Sequence, residues 1–373
     1  MNFSFDDVID LGTNIKVVGV GGAGGNAINR MIQSGMGGVE FIAMNTDNQI
    51  LQYNKATFKL QLGDKLTKGR GAGGDPEKGK RAAEESRDEI VAALRGTDMV
   101  FITAGMGGGT GTGAAPIVAE IAKDMGALTV AIVSKPFEWE GKRKMQTAEI
   151  GIANLREHVD SIVVIPNSRL KLISDVSITL ANAFEMADNV LKQGVQSVSD
   201  LINVSGLINL DFADVSAVMR DAGYAHMGVG RAGGREKAEV AANMAISSPL
   251  LETAINGAKG VIINFTTSSD TELNDIELAA TMMTKAAHED ANIIWGAAFD
   301  DSLQDEMIIT VIATGFDTLG LASTPSQPRK PEFFSNSESV AREEPQRPVL
   351  TTDEIDLEEV LKILDSRPQD NIF

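Results

Sequence analysis

Residues 100–116 read VFITAGMGGGTGTGAAP. A short apolar strand runs directly into a glycine-dense turn, and small helix-forming residues follow. Glycine at this density costs chain entropy that folding alone seldom justifies. Without a Cβ in the way, the backbone N–H groups of Gly105, Gly107, Gly108, Gly109, Gly111 and Gly113 can approach an anion. The N-terminus of the following helix adds partial positive charge. Thr110 and Thr112 supply hydroxyls suited to phosphate oxygens or a hydrated Mg²⁺.

The same grammar appears at the start of the chain. NIKVVGV (14–20) reads as a buried strand, and Gly19-Val20-Gly21-Gly22-Ala23-Gly24-Gly25-Asn26 follows it, with a helical pattern from Asn26 to Ser34. This holds G-x-G-x-x-G between strand and helix, and Asp47 follows the next strand, where a ribose-binding acid can sit. Alone, the first loop fits a Rossmann-type NAD(P)-dependent oxidoreductase as well as a nucleoside triphosphate. Two such loops at one sheet edge can surround a longer polyphosphate, which favours the triphosphate. A third glycine segment, Gly69 to Pro76, offers another wall through Ala72 and Gly73. Gly74 to Lys80 spells most of a P-loop, but Arg81 stands where Ser or Thr should bind metal, and a helix begins at Pro76.

Strands at 39–45, 98–106, 127–136 and 160–167 alternate with helical patterns, among them one amphipathic helix over 76–96. That alternation predicts an α/β doubly wound parallel-sheet domain over 14–176, after an N-terminal extension, 1–13. A helical pattern without internal proline spans 177–203, too long for a routine crossover. It predicts a long central helix over 177–204, leading to a smaller α/β carboxyl domain over 205–315. That domain takes helices near 212–221 and 235–247, a segment at 227–233, and strands at 259–266, 292–299 and 306–314. Beyond Gly315, five of the eleven prolines fall between Pro325 and Pro348 among polar residues, which predicts a disordered linker over 316–350. In the last segment, 351–373, Leu357, Val360, Leu361 and Leu364 share one helical face, as a partner-binding peptide would.

Composition narrows the function. The 373-residue chain carries a formal charge of −19, so the basic footprint of a nucleic-acid binder is missing and insertion into or adsorption on an anionic membrane is disfavoured. Self-association against that charge needs a specific interface and responds to salt. No cysteine is present, which excludes disulfides and thiolate chemistry and fits a cytoplasmic protein. His158, His226 and His288 share no metal-ligand spacing. Asp211 and Asp214 stand three apart at a helix start. Read from the residues alone, they are an N-cap and a first-turn acid.

GGGTGTG at 107–113 is a rare string. With NTD (45–47), KGRGAGGDP (68–76), TVAIVSKPF (129–137), ADNVLKQGV (187–195), NLDFADV (209–215) and MAISSPLL (244–251), the chain resembles the tubulin/FtsZ family of GTPases across roughly 14–315, and its bacterial branch more than eukaryotic tubulin. The resemblance implies a GTP-dependent filament protein of bacterial division whose protomers stack head to tail. It implies GTP or GDP as ligand, with Mg²⁺, and membrane adaptors reached through the carboxyl tail. By the same resemblance Gly21, Gly22 and Gly108–Gly111 hold phosphates, with Asn45 and Pro136 also at the nucleotide, and Glu140 and Arg143 near the ribose. Some relatives carry the arginine one position later, at Lys144 here. Asn26, Phe184 and Asp188 handle guanine, and Asn167 touches the nucleoside. Asn209, Asp211 and Asp214 complete the pocket of the neighbouring subunit.

Overall fold

A run such as Met99–Gly105 shows no polar alternation because both faces of its sheet are covered. The computed structural model describes residues 12–172, 179–203, 210–251, 255–268, 271–300 and 303–316. All of these fall in one unit, Met1–Leu321. The extension before residue 12, Asn209, the linker and the terminal peptide predicted after residue 316 lie outside the described residues.

Ten strands form one sheet: β1 Ile15–Val20, β2 Glu40–Asn45, β3 Phe58–Gln61, β4 Met99–Gly105, β5 Leu128–Lys135, β6 Ser161–Pro166, β7 Gly223–Gly233, β8 Gly260–Thr267, β9 Asn292–Phe299 and β10 Glu306–Thr314. Their order is β3-β2-β1-β4-β5-β6-β7-β10-β8-β9. Pairing is parallel from β3 through β7, and β10 runs antiparallel to both β7 and β8. The doubly wound order reverses between β1 and β4, the place where open α/β sheets bind ligands.

Successive side chains feed opposite cores. Ile15, Val17, Met99, Phe101, Val130 and Ile132 enter one, beneath helices Gly21–Gln33, Leu180–Asn203 and Phe212–Met219. Val18, Val20, Val100, Ile102, Ala131 and Val133 enter the other, beneath Pro76–Glu85, Arg87–Leu94, Thr110–Asp124 and Lys142–Arg156. A third core lies between β7, β8 and β10 and helices Lys237–Ile246 and Leu273–Ala286. The long helix buries Ala183, Ala187, Val190, Leu191, Val195, Val198 and Leu201, a single stripe at helical spacing.

The elements depart from the sequence reading at identifiable residues. The single helix expected over 76–96 is two, because Ser86 turns inward and its Oγ accepts the Gly63 N–H at 3.1 Å. The first helix starts at Gly21, five residues before the predicted Asn26, so the glycines form its first turns. Gly79 and Lys80 lie inside a helix, which removes the apparent P-loop. The segment at 227–233 is the end of β7. Helix Leu273–Ala286, strand β3 and two short helices near it had no sequence assignment.

Close helix crossing depends on Gly113, where a Cβ would lie 1.9 Å from the Pro76 carbonyl oxygen. Gly113→Ala is expected to cost about 1–3 kcal/mol, read as a lower urea midpoint at unchanged slope.

Candidate functional site

β1 and β4 are neighbours in parallel register, with Val20 opposite Ala104, so both glycine turns leave the same sheet edge. The turns touch. Gly21 has φ +76°, and a Cβ there would lie 2.9 Å from the Gly111 nitrogen. The helices that begin at Gly21 and Thr110 have no side-chain cap, whereas Asp47, Asp75 and Asp211 cap theirs. Two sets of uncapped N–H groups therefore meet at one edge, an arrangement that favours an anion.

They open on a cleft of about 260 Å³. Val20, Gly22 and Ala23 line it from the first turn; Gly105, Met106, Gly108, Gly109, Thr110 and Gly111 line it from the second. Ser134, Pro136, Glu140 and Lys144 come from beyond β5, Asn167 from beyond β6, and Phe184, Ala187 and Asp188 from the long helix.

Two glycines here have no reason in the turn or the packing. Gly22 and Gly108 have no left-handed φ, and a Cβ on either would meet nothing within 4 Å. Their missing side chains keep space open. The other loop glycines answer to the protein itself. A Cβ at Gly24 would strike the Thr103 carbonyl oxygen at 2.3 Å, and one at Gly25 would lie 3.0 Å from Asn54 Nδ2.

Several expected residues are engaged by the protein itself, and some of them stand outside the lining. Thr112 Oγ1 accepts the Gly107 N–H at 2.8 Å, so this hydroxyl shapes the turn. Thr46 and Thr110 hydroxyls lie 2.6 Å apart and tie the end of β2 to the second turn. Asn45 Oδ1 accepts from the Asp47 N–H at 3.1 Å, and Asp47 Oδ1 caps helix Asn48–Gln52 by accepting from Gln49 N at 3.0 Å. Ala72 stands behind Gly109, and a Cβ at neighbouring Gly73, φ +66°, would meet nothing within 4 Å. Asn26 and Arg143 are exposed and outside the lining. Lys144 takes the position expected of Arg143, with its ammonium on Glu140 Oε2.

Polar groups in the cleft are held in place. Glu140 Oε1 accepts the Phe137 N–H at 2.8 Å, so both its oxygens are engaged. Arg30 bridges Asp188 at 3.3 Å and Glu185 at 2.9 Å. Burial pushes the Asp188 carboxyl up to about 6, with Arg30 pulling the other way. Asn167 is 5% exposed, and its Oδ1 has no hydrogen-bond partner among the described residues. A buried acceptor without a partner marks a place where a ligand or water belongs.

Sequence reasoning placed Phe184 at the cleft but missed the two aromatics that back it. Phe137 and Trp139 stack at 5.6 Å, and Phe184 meets them edge-on at 5.7 and 6.1 Å. The signal was present in PFEWEG (136–141), two aromatics just past the carboxyl end of β5. Asp211 accepts the Asp214 N–H at 2.8 Å as a helix N-cap; both acids are exposed, and neither lines the cleft.

Anion-holding turns at the sheet's switch point, an orphaned acceptor and an aromatic side wall define a nucleotide-binding α/β protein. The tubulin/FtsZ family GTPase domain matches residues 14–175, and the FtsZ family C-terminal domain matches residues 223–317. An empty FtsZ dimer from M. jannaschii is 46% identical at TM-score 0.78, over 81% of this chain and 88% of that one. A tryptophan-to-tyrosine mutant of M. jannaschii FtsZ is 45% identical at TM-score 0.79, over 82% and 92%. CetZ2 from Haloferax volcanii, solved as a GTPγS-bound protofilament, shares the fold at 20% identity and TM-score 0.68, over 82% and 94%. The chain belongs to the tubulin/FtsZ family, and it is a GTP-binding GTPase of that family.

Gly108→Ala is expected to leave urea stability within about 0.5 kcal/mol while weakening GTP retention at least about tenfold, as measured by nucleotide dialysis.

Proposed function

We propose that this chain polymerises head to tail with GTP and hydrolyses it at the joint between two copies, as the filament of a bacterial division ring. One observation carries the shared site. The carboxylates that line the cleft, Glu140 and Asp188, are already engaged by Lys144 and Arg30, and the acids of NLDFADV lie outside it. A second copy supplies what the first lacks. M. jannaschii FtsZ, solved as a dimer, supports self-association.

In this reading the turns at Gly21–Gly22 and Gly108–Gly111 cradle the phosphates through backbone N–H groups. Asp188 accepts from the guanine ring N–H and exocyclic amine, Phe184 stacks on the base, and Asn167 Oδ1 accepts from the nucleoside. Glu140, with Lys144 or Arg143, faces the ribose. The Thr110 hydroxyl, paired with that of Thr46, would help hold a phosphate-bound Mg²⁺, which would supply charge neutralisation at the phosphates. Asp211 and Asp214 of the next copy, with Asn209, orient the attacking water. An ordinary aspartate is a weak base at neutral pH, but phosphoryl transfer asks mainly for position. Capping and catalysis are compatible, because the cap uses only one oxygen of Asp211.

The domain limits proposed are 14–176 for GTP binding, 177–204 for the central helix and 205–315 for the carboxyl domain. A linker over 316–350 tethers a peptide at 351–373 that meets membrane adaptors at mid-cell from the cytoplasm. No described helix is long and apolar enough to cross a membrane. An NAD(P) oxidoreductase leaves the second glycine turn and NLDFADV unexplained.

Two outcomes test this reading. Specific GTPase activity rises steeply with protein concentration, and Asp214→Ala binds GTP, loses at least about tenfold in turnover and poisons mixtures with wild type; turnover per molecule independent of concentration contradicts it. Guanine binding needs the Asp188 carboxylate ionised, so GDP affinity falls as pH drops below about 6, and Asp188→Asn flattens that dependence in calorimetric titrations.

A further inference from the structure

Charge on this molecule is unevenly placed. The whole chain carries −19, yet residues 48–70 hold five basic side chains and one acidic, a local +4. Lys55, Lys59, Lys65, Lys68 and Arg70 are all exposed, and none has an ion-pair partner among the described residues. They surround β3, which pairs only with β2 and so forms one edge of the sheet. Beside them Tyr53 is 86% exposed and Phe58 46%. Unpaired strand edges with exposed aromatic groups are ready to meet another chain.

A second, acidic surface shares none of these residues. Helices Pro76–Glu85, Thr110–Asp124 and Lys142–Arg156 enclose a groove of about 450 Å³ on the outside of the second core. Its floor is apolar, with Pro116 and Ile117, and Ile150 stands 64% exposed at its rim. Glu77, Glu84, Glu120 and Glu157 line it against one lysine, Lys80. Arg87 engages Glu84 and Glu120, while Glu77 and Glu157 have no ion-pair partner among the described residues.

We infer that this acidic groove receives the basic, aromatic β3 edge of a second copy, joining filaments side by side. Charge complementarity selects the occupant. A net charge of −19 sets copies repelling one another, so contact favours the place where a basic patch of one meets an acidic groove of the other. The two surfaces differ, so the contact is heterologous and does not close on itself; it builds open sheets instead of a pair. Thr112 and Gly113 of the second glycine loop border the groove, but Glu77, Glu157, Lys55 and Lys59 are assigned no part in the GTP cleft, so altering them separates lateral joining from GTP turnover.

The test uses two full-length variants, Glu77→Lys/Glu157→Lys and Lys55→Glu/Lys59→Glu. Each alone places like charges in the contact, and mixed they restore opposite charges. GTP turnover reports longitudinal assembly, and light scattering with low-speed pelleting reports bundling. The inference expects each variant alone to keep its GTPase activity and its concentration dependence while losing bundling, the mixture to regain it, and wild-type bundles to dissolve as salt is raised. Bundling by either variant alone at the wild-type level, a mixture that fails to bundle, or wild-type filaments that stay single at low salt overturns it. Loss of concentration-dependent turnover in wild type instead counts against the head-to-tail reading.

Discussion

The contact between Gly21 and Gly111 is the constraint on which the rest depends. A side chain at Gly21 would meet the Gly111 nitrogen at 2.9 Å, so the ends of β1 and β4 can come together only as bare backbone. Their closeness brings two uncapped helix N-termini to one edge of the sheet. An anion there meets N–H groups from both sides, in a site that needs no reorganisation to receive it. Helix packing protects the arrangement from below. Gly79 and Gly113 let two helices cross within reach of each other's backbone, and Gly24 sits against the Thr103 carbonyl.

In the proposed reading, recognition of the base costs stability. A carboxyl whose folded pKa lies above its unfolded value favours the fold while protonated and disfavours it once ionised. For Asp188, raised to about 6, the contribution is fully present below the unfolded value and lost as pH rises through 6. Ionised at neutral pH, the group costs the empty protein about 3 kcal/mol on the simple linkage relation. Arg30 offsets part of this from the first helix. The first glycine turn and the Asp188 side of the cleft are thereby joined, because the helix that starts at Gly21 also carries the guanidinium that holds Asp188.

Much of this was legible in the residues. Uninterrupted apolar strands announced a sheet covered on both sides, and both glycine turns fell at its carboxyl edge. The sequence could not separate glycines that make room for a ligand from those that make room for the protein. Gly22 and Gly24 look alike in a string, but one faces open space and the other a carbonyl. Nor could periodicity foresee the break at Ser86, which depends on a hydrogen bond to Gly63 across 23 residues. Lys144 and Arg143 differ by one helical step of about 100°, and only the folded helix shows that Lys144 lines the cleft and pairs with Glu140 while Arg143 is exposed. Trp139 and Phe137 carried a readable signal in composition, since aromatics are 5% of the chain and these two pack against Phe184, which lines the cleft.

In the proposed filament, one copy leaves the cleft incomplete. Asp211 and Asp214 are exposed at a helix cap and engage nothing in the cleft of their own chain. The most direct measurement is a structure of the assembled filament with a slowly hydrolysed GTP analogue in place. The account predicts that Asp214 of the next subunit lies within one water of the γ-phosphate, about 5–6 Å by hydrogen-bond geometry. A filament in which those acids face solvent, or in which a carboxylate of the nucleotide's own subunit holds that water, contradicts it.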